Sequence, residues 1–300
     1  MVDGKYLYQL YGMTISTPFE CPELLSSEGE PAVEICHGSV PDGLADPTAR
    51  GVRFQATQTE FLLKVDGVAK FFVANGRSIT IEKDQAATDD DVRVFLLGSA
   101  FGALLHQQGL LPFHGSAIAA RETAVAFLGP SGVGKSTLAA SLARRGYRVL
   151  ADDVAPVLVR NGEALLVPGY PQLKVWADVA DKLGADVEGL RRVRADLEKY
   201  GLPVVGPRDE RPTPLRRIYV LESTNTRDLK LTELRGMEKL TALVGNTYRL
   251  QFLGSGEGRT PNFEQCASVA ERAAVVRAVR PDSPFMLDEL TDLVEQDFLR

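Results

Sequence analysis

The stretch Gly-Pro-Ser-Gly-Val-Gly-Lys-Ser, residues 129–136, decides the fold class of this chain. It matches every fixed position of the P-loop pattern G-x-x-x-x-G-K-[ST], whose glycines let the backbone curl around phosphate oxygens. Residues 124–128 before it form an apolar run typical of a strand, and residues 136–145 after it have helical spacing. A chance glycine turn before a helix is the alternative, but it does not account for all four fixed positions.

The P-loop predicts which residues bind a nucleoside triphosphate and Mg²⁺. Backbone N–H groups and the positive end of the helix dipole would face the phosphate oxygens. Lys135 would bridge the β- and γ-phosphates, and the Ser136 hydroxyl would ligate the metal. The predicted nucleotide-binding residues are Gly129, Pro130, Ser131, Gly132, Val133, Gly134, Lys135, Ser136 and Thr137.

Two adjacent acids follow the next predicted strand, residues 148–151. They are Asp152, seventeen residues after Lys135, and Asp153. In P-loop enzymes a carboxylate at the C-terminal end of a neighbouring parallel strand helps to organise the metal. Adjacent carboxylates at a strand end point in different directions, so one is predicted to serve magnesium and the other to accept the proton of an attacking hydroxyl. A solvated turn without a chemical role is the alternative.

A histidine precedes the strand that is expected to pair with the P-loop strand. His114 lies in Pro-Phe-His-Gly-Ser, residues 112–116, just before the predicted strand 116–120. From these residues alone, it is either an ordinary core or surface histidine or a contact to phosphate or metal near the mouth of the loop.

The chain before the P-loop unit is predicted to be mainly β-structure. Residues 1–88 are predicted to form a β-rich N-terminal domain. Short apolar or β-branched runs at 61–65, 69–73 and 78–82 are separated by Asp-Gly and Asn-Gly, dipeptides typical of tight hairpin turns. We therefore expect a three-stranded meander in this domain.

Residues 89–300 are predicted to form the P-loop domain, which gives an α/β fold class for the whole chain. Its first element would be a helix over 89–108, capped by Thr88. Strand, glycine-rich turn, helix and strand then form the unit of an open α/β sheet. Two helices are predicted near the C-terminus, over 263–279 and 283–299.

Composition and charge exclude several classes of protein. The 300 residues are 44% hydrophobic and 25% charged, which excludes a disordered chain, a collagen-like repeat and a disulfide miniprotein. A net charge of −6 argues against a nucleic-acid partner.

The uncharged stretch 94–120 is interrupted by polar residues and proline, so we predict a buried helix and strand rather than a membrane span. The start lacks the features of a signal peptide. The chain has three cysteines, Cys21, Cys36 and Cys266, and their spacing fits neither a metal site nor a disulfide framework. Free thiols are typical of a reducing compartment. We therefore predict a cytoplasmic protein without a membrane partner.

Three segments together resemble the catalytic domain of HPr serine kinases. They are HGSAIA at 114–119, GPSGVGKST at 129–137 and ARRGYRVLADDV at 143–154. The resemblance is dense over residues 113–159 and thin elsewhere. It implies a P-loop α/β domain related to phosphoenolpyruvate carboxykinase, with ATP and Mg²⁺ as cofactors and a homo-oligomeric assembly.

The resemblance implies a role for each residue that matches the family's motifs. Lys135 would hold phosphates, and Ser136 would hold magnesium. Asp153 would accept the proton of the target serine, with Asp152 beside it near the metal. His114 would be the active-site histidine of the family.

The sequence also departs from the family's pattern. Thr137 stands where bifunctional HPr kinases have an acid after the P-loop serine, and Lys174 stands where their signature has a metal-ligating glutamate. A lysine does not ligate magnesium, so a second metal site and the reverse phosphorolysis reaction are not expected. Arg216 resembles the late arginine of the family, with Arg217 as a substitute.

Two other segments resemble the HPr-kinase-like proteins found with lasso-peptide biosynthesis enzymes. They are Tyr-x-x-Tyr-Gly at 8–12 and Pro-Gly-Tyr-Pro-Gln-Leu-Lys-Val-Trp at 168–176. The main hypothesis is therefore an ATP-dependent serine kinase that acts on a peptide or small protein, with a lasso-peptide precursor as the candidate substrate. The alternatives are a bifunctional HPr kinase/phosphorylase and a non-catalytic nucleotide-binding regulatory module.

Overall fold

The computed structural model of the protein describes residues 5–170, 172–176, 190, 199–203, 210–284 and 286–300. The chain divides into two compact units. The first unit comprises Met1–Pro112 and Tyr248–Glu264, and the second comprises Phe113–Thr247 and Gln265–Arg300. Each unit contains a large β-sheet, and helices occur along the chain, which confirms the predicted α/β fold with a β-rich N-terminal part.

The first unit is built around a nine-stranded, mostly antiparallel sheet. The strands are β1 (Tyr6–Leu10), β2 (Met13–Thr17), β3 (Leu25–Ser26), β4 (Val33–His37), β5 (Ala49–Arg50), β6 (Phe54–Ala56), β7 (Glu60–Val65), β8 (Ala69–Ala74) and β9 (Ser78–Lys83). Their order in the sheet is β3-β1-β2-β4-β9-β8-β7-β6-β5. The predicted meander is confirmed as β7-β8-β9. Its turns contain Gly67, Asn75 and Gly76 at φ angles of +69°, +54° and +63°, the left-handed region that tight hairpins need.

The helical segment predicted after the meander begins at the expected capping box. The Thr88 hydroxyl accepts a hydrogen bond from the Asp91 N–H, and the Asp91 side chain accepts one from the Thr88 N–H. The segment consists of helix α1 (Asp89–Phe95), a π-helical turn (Leu96–Ala100) and helix α2 (Phe101–Gln107). The helical spacing of these residues did not predict the π-helical turn.

The division into units falls later in the chain than the predicted domain boundary between residues 88 and 89. The π-helical turn and α2 pack against β8, which keeps the helical segment with the N-terminal sheet. Packing of this kind does not establish which part of the chain folds independently, so domains 1–88 and 89–300 stay a prediction.

The second unit contains the P-loop and an eight-stranded sheet. The remaining strands are β10 (Leu111–Ala120), β11 (Thr123–Leu128), β12 (Arg148–Ala151), β13 (Val154–Arg160), β14 (Glu163–Leu166), β15 (Gln172–Trp176), β16 (Lys199–Pro203), β17 (Thr213–Thr224), β18 (Lys230–Glu233) and β19 (Ala274–Pro281). The remaining described helices are α3 (Lys135–Arg144), α4 (Gly236–Gly245), α5 (Thr260–Arg272) and α6 (Leu287–Phe298). Two 3₁₀ turns, at Leu250–Leu253 and Gly256–Arg259, belong to the first unit.

The P-loop strand β11 lies between β10, which is antiparallel to it, and β17, which is parallel. Strand β12 pairs with the other edge of β10, since Ala117 of β10 faces both Ala126 and Ala151. The sequence analysis placed the two acids on a parallel strand next to the P-loop strand, and this is wrong because β10 separates β11 from β12. The two strands still run parallel, so their C-terminal ends point to the same edge.

The strands of the second unit form a closed circuit, whereas the sequence predicted an open sheet. The order β11-β10-β13-β14-β17 closes because β17 also pairs with β11. The length of β17 makes this possible: Thr213 and Pro214 pair with β14, and the strand from Leu215 onward pairs with β11. The parallel strands β11, β17 and β19 end at one edge of the sheet, and the P-loop leaves from that edge.

The prediction for the C-terminal region is partly wrong. Helix α5 ends at Arg272, and residues 274–279 lie in β19 instead of continuing the helix. Val275 and Ala278 are fully buried in this strand, which pairs with β17. Pairing and burial at the sheet therefore outweigh the local helical spacing. The last helix begins at Leu287 with Met286 as its N-cap residue, four residues later than the predicted start at 283.

The uncharged stretch 94–120 is divided between the helical segment and β10. Phe101 and Leu104 of α2 are fully buried, as are Ala117 and Ile118 of β10. This confirms the interpretation as a buried helix followed by a buried strand. Across the part of the chain that is described, no helix has both the length and the apolar character that a bilayer crossing requires.

Candidate active site

The P-loop has the backbone that its glycines predict. Gly129, Gly132 and Gly134 have φ angles of +136°, +84° and +106°, a region that residues with side chains rarely adopt. A Cβ atom on Gly129 would also lie 2.6 Å from the carbonyl oxygen of Leu221 in β17. Helix α3 follows with Gly134 as its N-cap residue and without a side-chain cap. The loop and the helix start are therefore built from backbone, as an anion-binding turn requires.

Lys135 folds back over the loop that precedes it. Its Nζ donates hydrogen bonds to the carbonyl oxygens of Gly129 and Pro130, both at 2.9 Å. The residue is 7% exposed. The ammonium group thus lies within the P-loop, where a phosphate oxygen could replace a carbonyl as its partner.

Asp152 is buried and accepts hydrogen bonds from three elements. Oδ1 accepts from the hydroxyls of Ser136 at 2.8 Å and Ser116 at 2.5 Å. Oδ2 accepts from the backbone N–H of Lys174 at 2.6 Å. A buried carboxylate needs such donors, because burial without them costs several kcal/mol. The structure thus brings Ser136 and Asp152, the two predicted metal ligands, into direct contact.

These two residues fit a magnesium ion. Mg²⁺ prefers hard oxygen ligands and is usually held by one or two protein oxygens together with substrate phosphates and water. The Ser136 hydroxyl and the Asp152 carboxylate supply that donor set at the start of α3. Among the described residues there is no group of three or more His, Cys, Asp or Glu side chains arranged to hold a metal. The chemistry of this pair therefore suits a metal shared with phosphates, not an all-protein cage.

Asp153 turns away from its neighbour. It has a φ angle of +68°, a left-handed conformation that Asp tolerates better than most residues. Its Oδ2 accepts a hydrogen bond from the Lys174 Nζ at 2.8 Å. Its backbone carbonyl lies 3.0 Å from the His114 Nδ1. The two carboxylates therefore bond to different groups, Asp152 to two hydroxyls and a backbone N–H, and Asp153 to an ammonium group.

Lys174 contacts both acids, with its backbone on Asp152 and its side chain on Asp153. Burial is the largest single influence on the pKa of Lys174 and would lower it, but Asp153 and Tyr170 together raise this pKa well above the ordinary value. The Lys174 side chain is therefore positively charged at neutral pH. The sequence singled it out only as a departure, and its contact with both acids was not foreseen.

His114 links the P-loop lysine to Asp153. Its Nδ1 donates to the Asp153 carbonyl, and its Nε2 lies 3.3 Å from the Lys135 Nζ, which has only donors to offer. This pattern assigns the neutral ring with the proton on Nδ1. Burial lowers the pKa of His114, and the charge of Lys135 lowers it further. The structure thus places His114 among the predicted site residues.

Arg216 is not brought to the P-loop. It lies on β17 four residues before Val220, the partner of the last P-loop strand residue Leu128, about 13 Å along the strand. Its Nη2 pairs with Glu163 at 3.1 Å. Arg217, the substitute, pairs with Asp297 at 2.8 Å. The role of the late arginine at this site stays a prediction.

Two further residues at the site were missed. Ser116 donates to Asp152 and was quoted only as part of a motif. Arg280 donates to the P-loop carbonyl of Val133 at 2.9 Å, and it lies 144 residues beyond the end of the motif at Ser136. The position of Ser116 in the motif segment was a usable signal, whereas nothing in the local sequence marks Arg280.

The contact between His114 and Lys135 predicts how the pKa of His114 responds when the lysine charge is removed. In an NMR titration His114 should have a pKa below 6.5, and Lys135→Met should raise it because a nearby positive charge is removed. Since the folded chain favours the neutral ring, the contribution of His114 to unfolding free energy should decrease as pH falls below 6.5. His106, a half-buried histidine hydrogen-bonded to the Tyr248 carbonyl, is the control, and its pKa should not respond to Lys135→Met. A His114 pKa that does not change in this variant would contradict the contact.

Comparisons with known proteins give a partial but consistent match. No protein-family model matches the chain. Over 94 residues, 31% of this chain, the sequence is 35% identical to the HPr kinase/phosphorylases of Prosthecochloris aestuarii and of Chlorobium phaeobacteroides, and 33% identical to that of Chloroherpeton thalassium. The match spans 27% of the length of these curated relatives. A solved structure of the Hpr(Ser) kinase/phosphatase from Coxiella burnetii aligns at 14% identity with a TM-score of 0.32, covering 63% of this chain and 90% of that one. The chain therefore resembles HPr kinase/phosphorylases, and the resemblance to these curated relatives is confined to the 94 matched residues.

Proposed function

We propose that the protein is an ATP-dependent phosphotransferase that moves the γ-phosphate to a serine hydroxyl of a peptide or small protein. The observation that carries this proposal is the position of His114 between the Lys135 Nζ and Asp153. One imidazole ring separates the amine suited to hold phosphate from the carboxylate suited to accept a proton. A protein that only binds nucleotide needs no such acid beside the loop.

In this proposal, the P-loop residues bind and orient the donor. The backbone N–H groups of the loop and of the start of α3 bind the phosphate oxygens. Lys135 exchanges its bonds to the Gly129 and Pro130 carbonyls for bonds to the β- and γ-phosphates. Ser136 and Asp152 would hold Mg²⁺, which when bound neutralises phosphate charge.

Asp153 acts as the proton acceptor. The serine oxygen attacks the γ-phosphorus, the bond from that phosphorus to the bridging oxygen of the β-phosphate breaks, and ADP leaves. The serine proton passes to the Asp153 carboxylate. The ion pair with Lys174 favours the ionised form of Asp153 before reaction, and the neutral His114 holds the backbone at this turn.

Two sequence segments point to the identity of the acceptor. We propose a lasso-peptide precursor, supported by the resemblance at residues 8–12 and 168–176. In the structure, the second segment contributes Lys174 and Tyr170, with the Lys174 Nζ 5.8 Å from the centre of the Tyr170 ring. The segment therefore reaches the acids of the site, where an acceptor hydroxyl must arrive. Assembly as a homo-oligomer and a cytoplasmic location stay predictions.

A bifunctional kinase/phosphorylase is the second candidate, because the curated relatives carry that name. The position of Lys174 argues against the reverse direction. Its ammonium group lies 2.8 Å from Asp153 and can only donate hydrogen bonds. A second metal ligand is therefore missing at the position where the family resemblance predicts one.

Nucleotide binding is tested with Lys135→Met. Wild-type protein should gain thermal stability with MgATP, because a ligand that binds only the folded state stabilises it, and the variant should lose most of this gain. Lys230→Met, an exposed lysine on β18, is the matched control and should keep the gain. An equal MgATP shift in Lys135→Met would contradict the P-loop assignment.

Proton transfer is tested with Asp153→Asn. The variant should keep MgATP binding but lose phosphoryl transfer to serine peptides by about 100-fold or more, since an amide is not a base. Asn tolerates the left-handed backbone of this position, so the fold should survive. Asp46→Asn, also at positive φ, is the control and should keep full activity. Full activity in Asp153→Asn would exclude Asp153 as the base.

The direction of the reaction is tested with inorganic phosphate. Phosphorolysis would transfer the phosphoryl group of a phosphoserine product to phosphate and release pyrophosphate. Because Lys174 replaces the expected metal ligand, the protein should release no pyrophosphate from its own phosphorylated product under conditions in which it uses ATP. Measured pyrophosphate release would favour the kinase/phosphorylase candidate.

A further inference from the structure

A buried arginine from the sheet contacts the P-loop. Arg280 lies near the end of β19 and is 7% exposed. Its Nε donates to the Val133 carbonyl at 2.9 Å, and its Nη1 donates to the Pro281 carbonyl at 2.7 Å. Burial of a guanidinium group carries a large desolvation cost that its hydrogen bonds must offset. The hydrogen bond from Arg280 to the Val133 carbonyl therefore helps to stabilise the position of the P-loop.

The contacted carbonyl belongs to the peptide group between Val133 and Gly134. A peptide group is planar and trans, so its C=O and its N–H point in opposite directions. With the carbonyl bonded to Arg280, the Gly134 N–H points to the side of the loop opposite the guanidinium group. In a P-loop, N–H groups of this kind face the phosphate oxygens.

This peptide group needs an external restraint. Gly134 has a φ angle of +106°, and glycine lacks the steric limits that would hold the peptide plane on its own. The other end of the loop is restrained by packing, since Gly129 lies against the Leu221 carbonyl of β17 and the Val133 side chain. Arg280 supplies the restraint on the helix side of Val133.

We propose that Arg280 is a positioning residue for phosphate binding, which fixes the Val133–Gly134 peptide so that the Gly134 N–H is aimed at a phosphate oxygen. The orientation itself follows from the structure, while the phosphate ligand rests on the proposed function. Fixing the donor in advance lowers the conformational cost of binding. The positive charge on the carbonyl side also polarises the peptide, which strengthens its N–H as a donor.

The first experiment measures orientation without any ligand. The backbone amide resonance of Gly134 is recorded by NMR in the full-length wild type, in Arg280→Met and in Arg277→Met. Met keeps an unbranched side chain and removes the charge and the donors. Arg277 is on the same strand and pairs with Glu222, so it controls for loss of one positive charge. The Gly134 resonance should shift in Arg280→Met and stay at its wild-type position in Arg277→Met.

The second experiment measures binding of inorganic tripolyphosphate with Mg²⁺ by calorimetry. Arg280→Met should bind about tenfold more weakly, the loss expected for one charge-assisted restraint, and Arg277→Met should bind within about twofold of wild type. If wild type binds no tripolyphosphate, the proposed function fails, and the Gly134 resonance alone then decides the role of Arg280. A wild-type resonance together with wild-type affinity in Arg280→Met overturns the proposal.

A third variant covers the case in which Arg280→Met does not fold. Arg280→Lys keeps the charge, but its single nitrogen cannot donate to the Val133 and Pro281 carbonyls in the geometry of a guanidinium fork. It should shift the Gly134 resonance and give an intermediate affinity. If Arg280→Lys behaves as wild type in both measurements while Arg280→Met is unfolded, the proposal is overturned.

Discussion

The site depends on one buried carboxylate. Asp152 is 5% exposed, and its two oxygens accept three hydrogen bonds from three separate elements, β10, α3 and β15. A buried carboxylate is costly without donors, and these three hydrogen bonds offset that cost. The same contact places Ser136 of the P-loop helix beside the acid. The hydrogen bonds that stabilise the buried carboxylate therefore also bring the two candidate metal ligands together.

Positive, neutral and negative side chains follow one another across the site, and each influences the protonation state of its neighbour. The Lys135 ammonium is next to the neutral ring of His114, and the His114 ring bonds to Asp153, whose carboxylate pairs with Lys174. A second positive charge on His114 would lie beside Lys135 in a partly buried site, which disfavours protonation of the ring. The two lysines are therefore kept apart by a neutral residue and an acid. This gives the candidate base a fixed position while leaving Lys135 close to the loop carbonyls that phosphates would replace.

The sequence predicted the parts of the structure that local chemistry determines. The P-loop, the meander with its Asp-Gly and Asn-Gly turns, and the capping box at Thr88 each depend on residues a few positions apart. Pairing between distant segments determines the position of β12, the strand at 274–281 and the closed sheet. A local sequence pattern does not encode such pairing. Residues 274–279 illustrate this, because their spacing fits a helix but their burial against β17 makes them a strand. At the site, Asp152, Asp153 and His114 were found from motifs, whereas the contacts of Lys174 and Arg280 needed the fold.

The strands that run parallel to β11 explain how a glycine-rich loop can have a defined shape. Glycine-rich backbone loses more conformational entropy on ordering than any other, so the loop needs rigid neighbours. Strand β17 presents the Leu221 carbonyl to Gly129, and β19 presents Arg280 to the Val133 carbonyl. Both strands run parallel to β11 and end at the edge from which the loop leaves. The direction in which the loop amides point is therefore determined by the ends of neighbouring parallel strands, and residues far away in sequence become part of the candidate phosphate site.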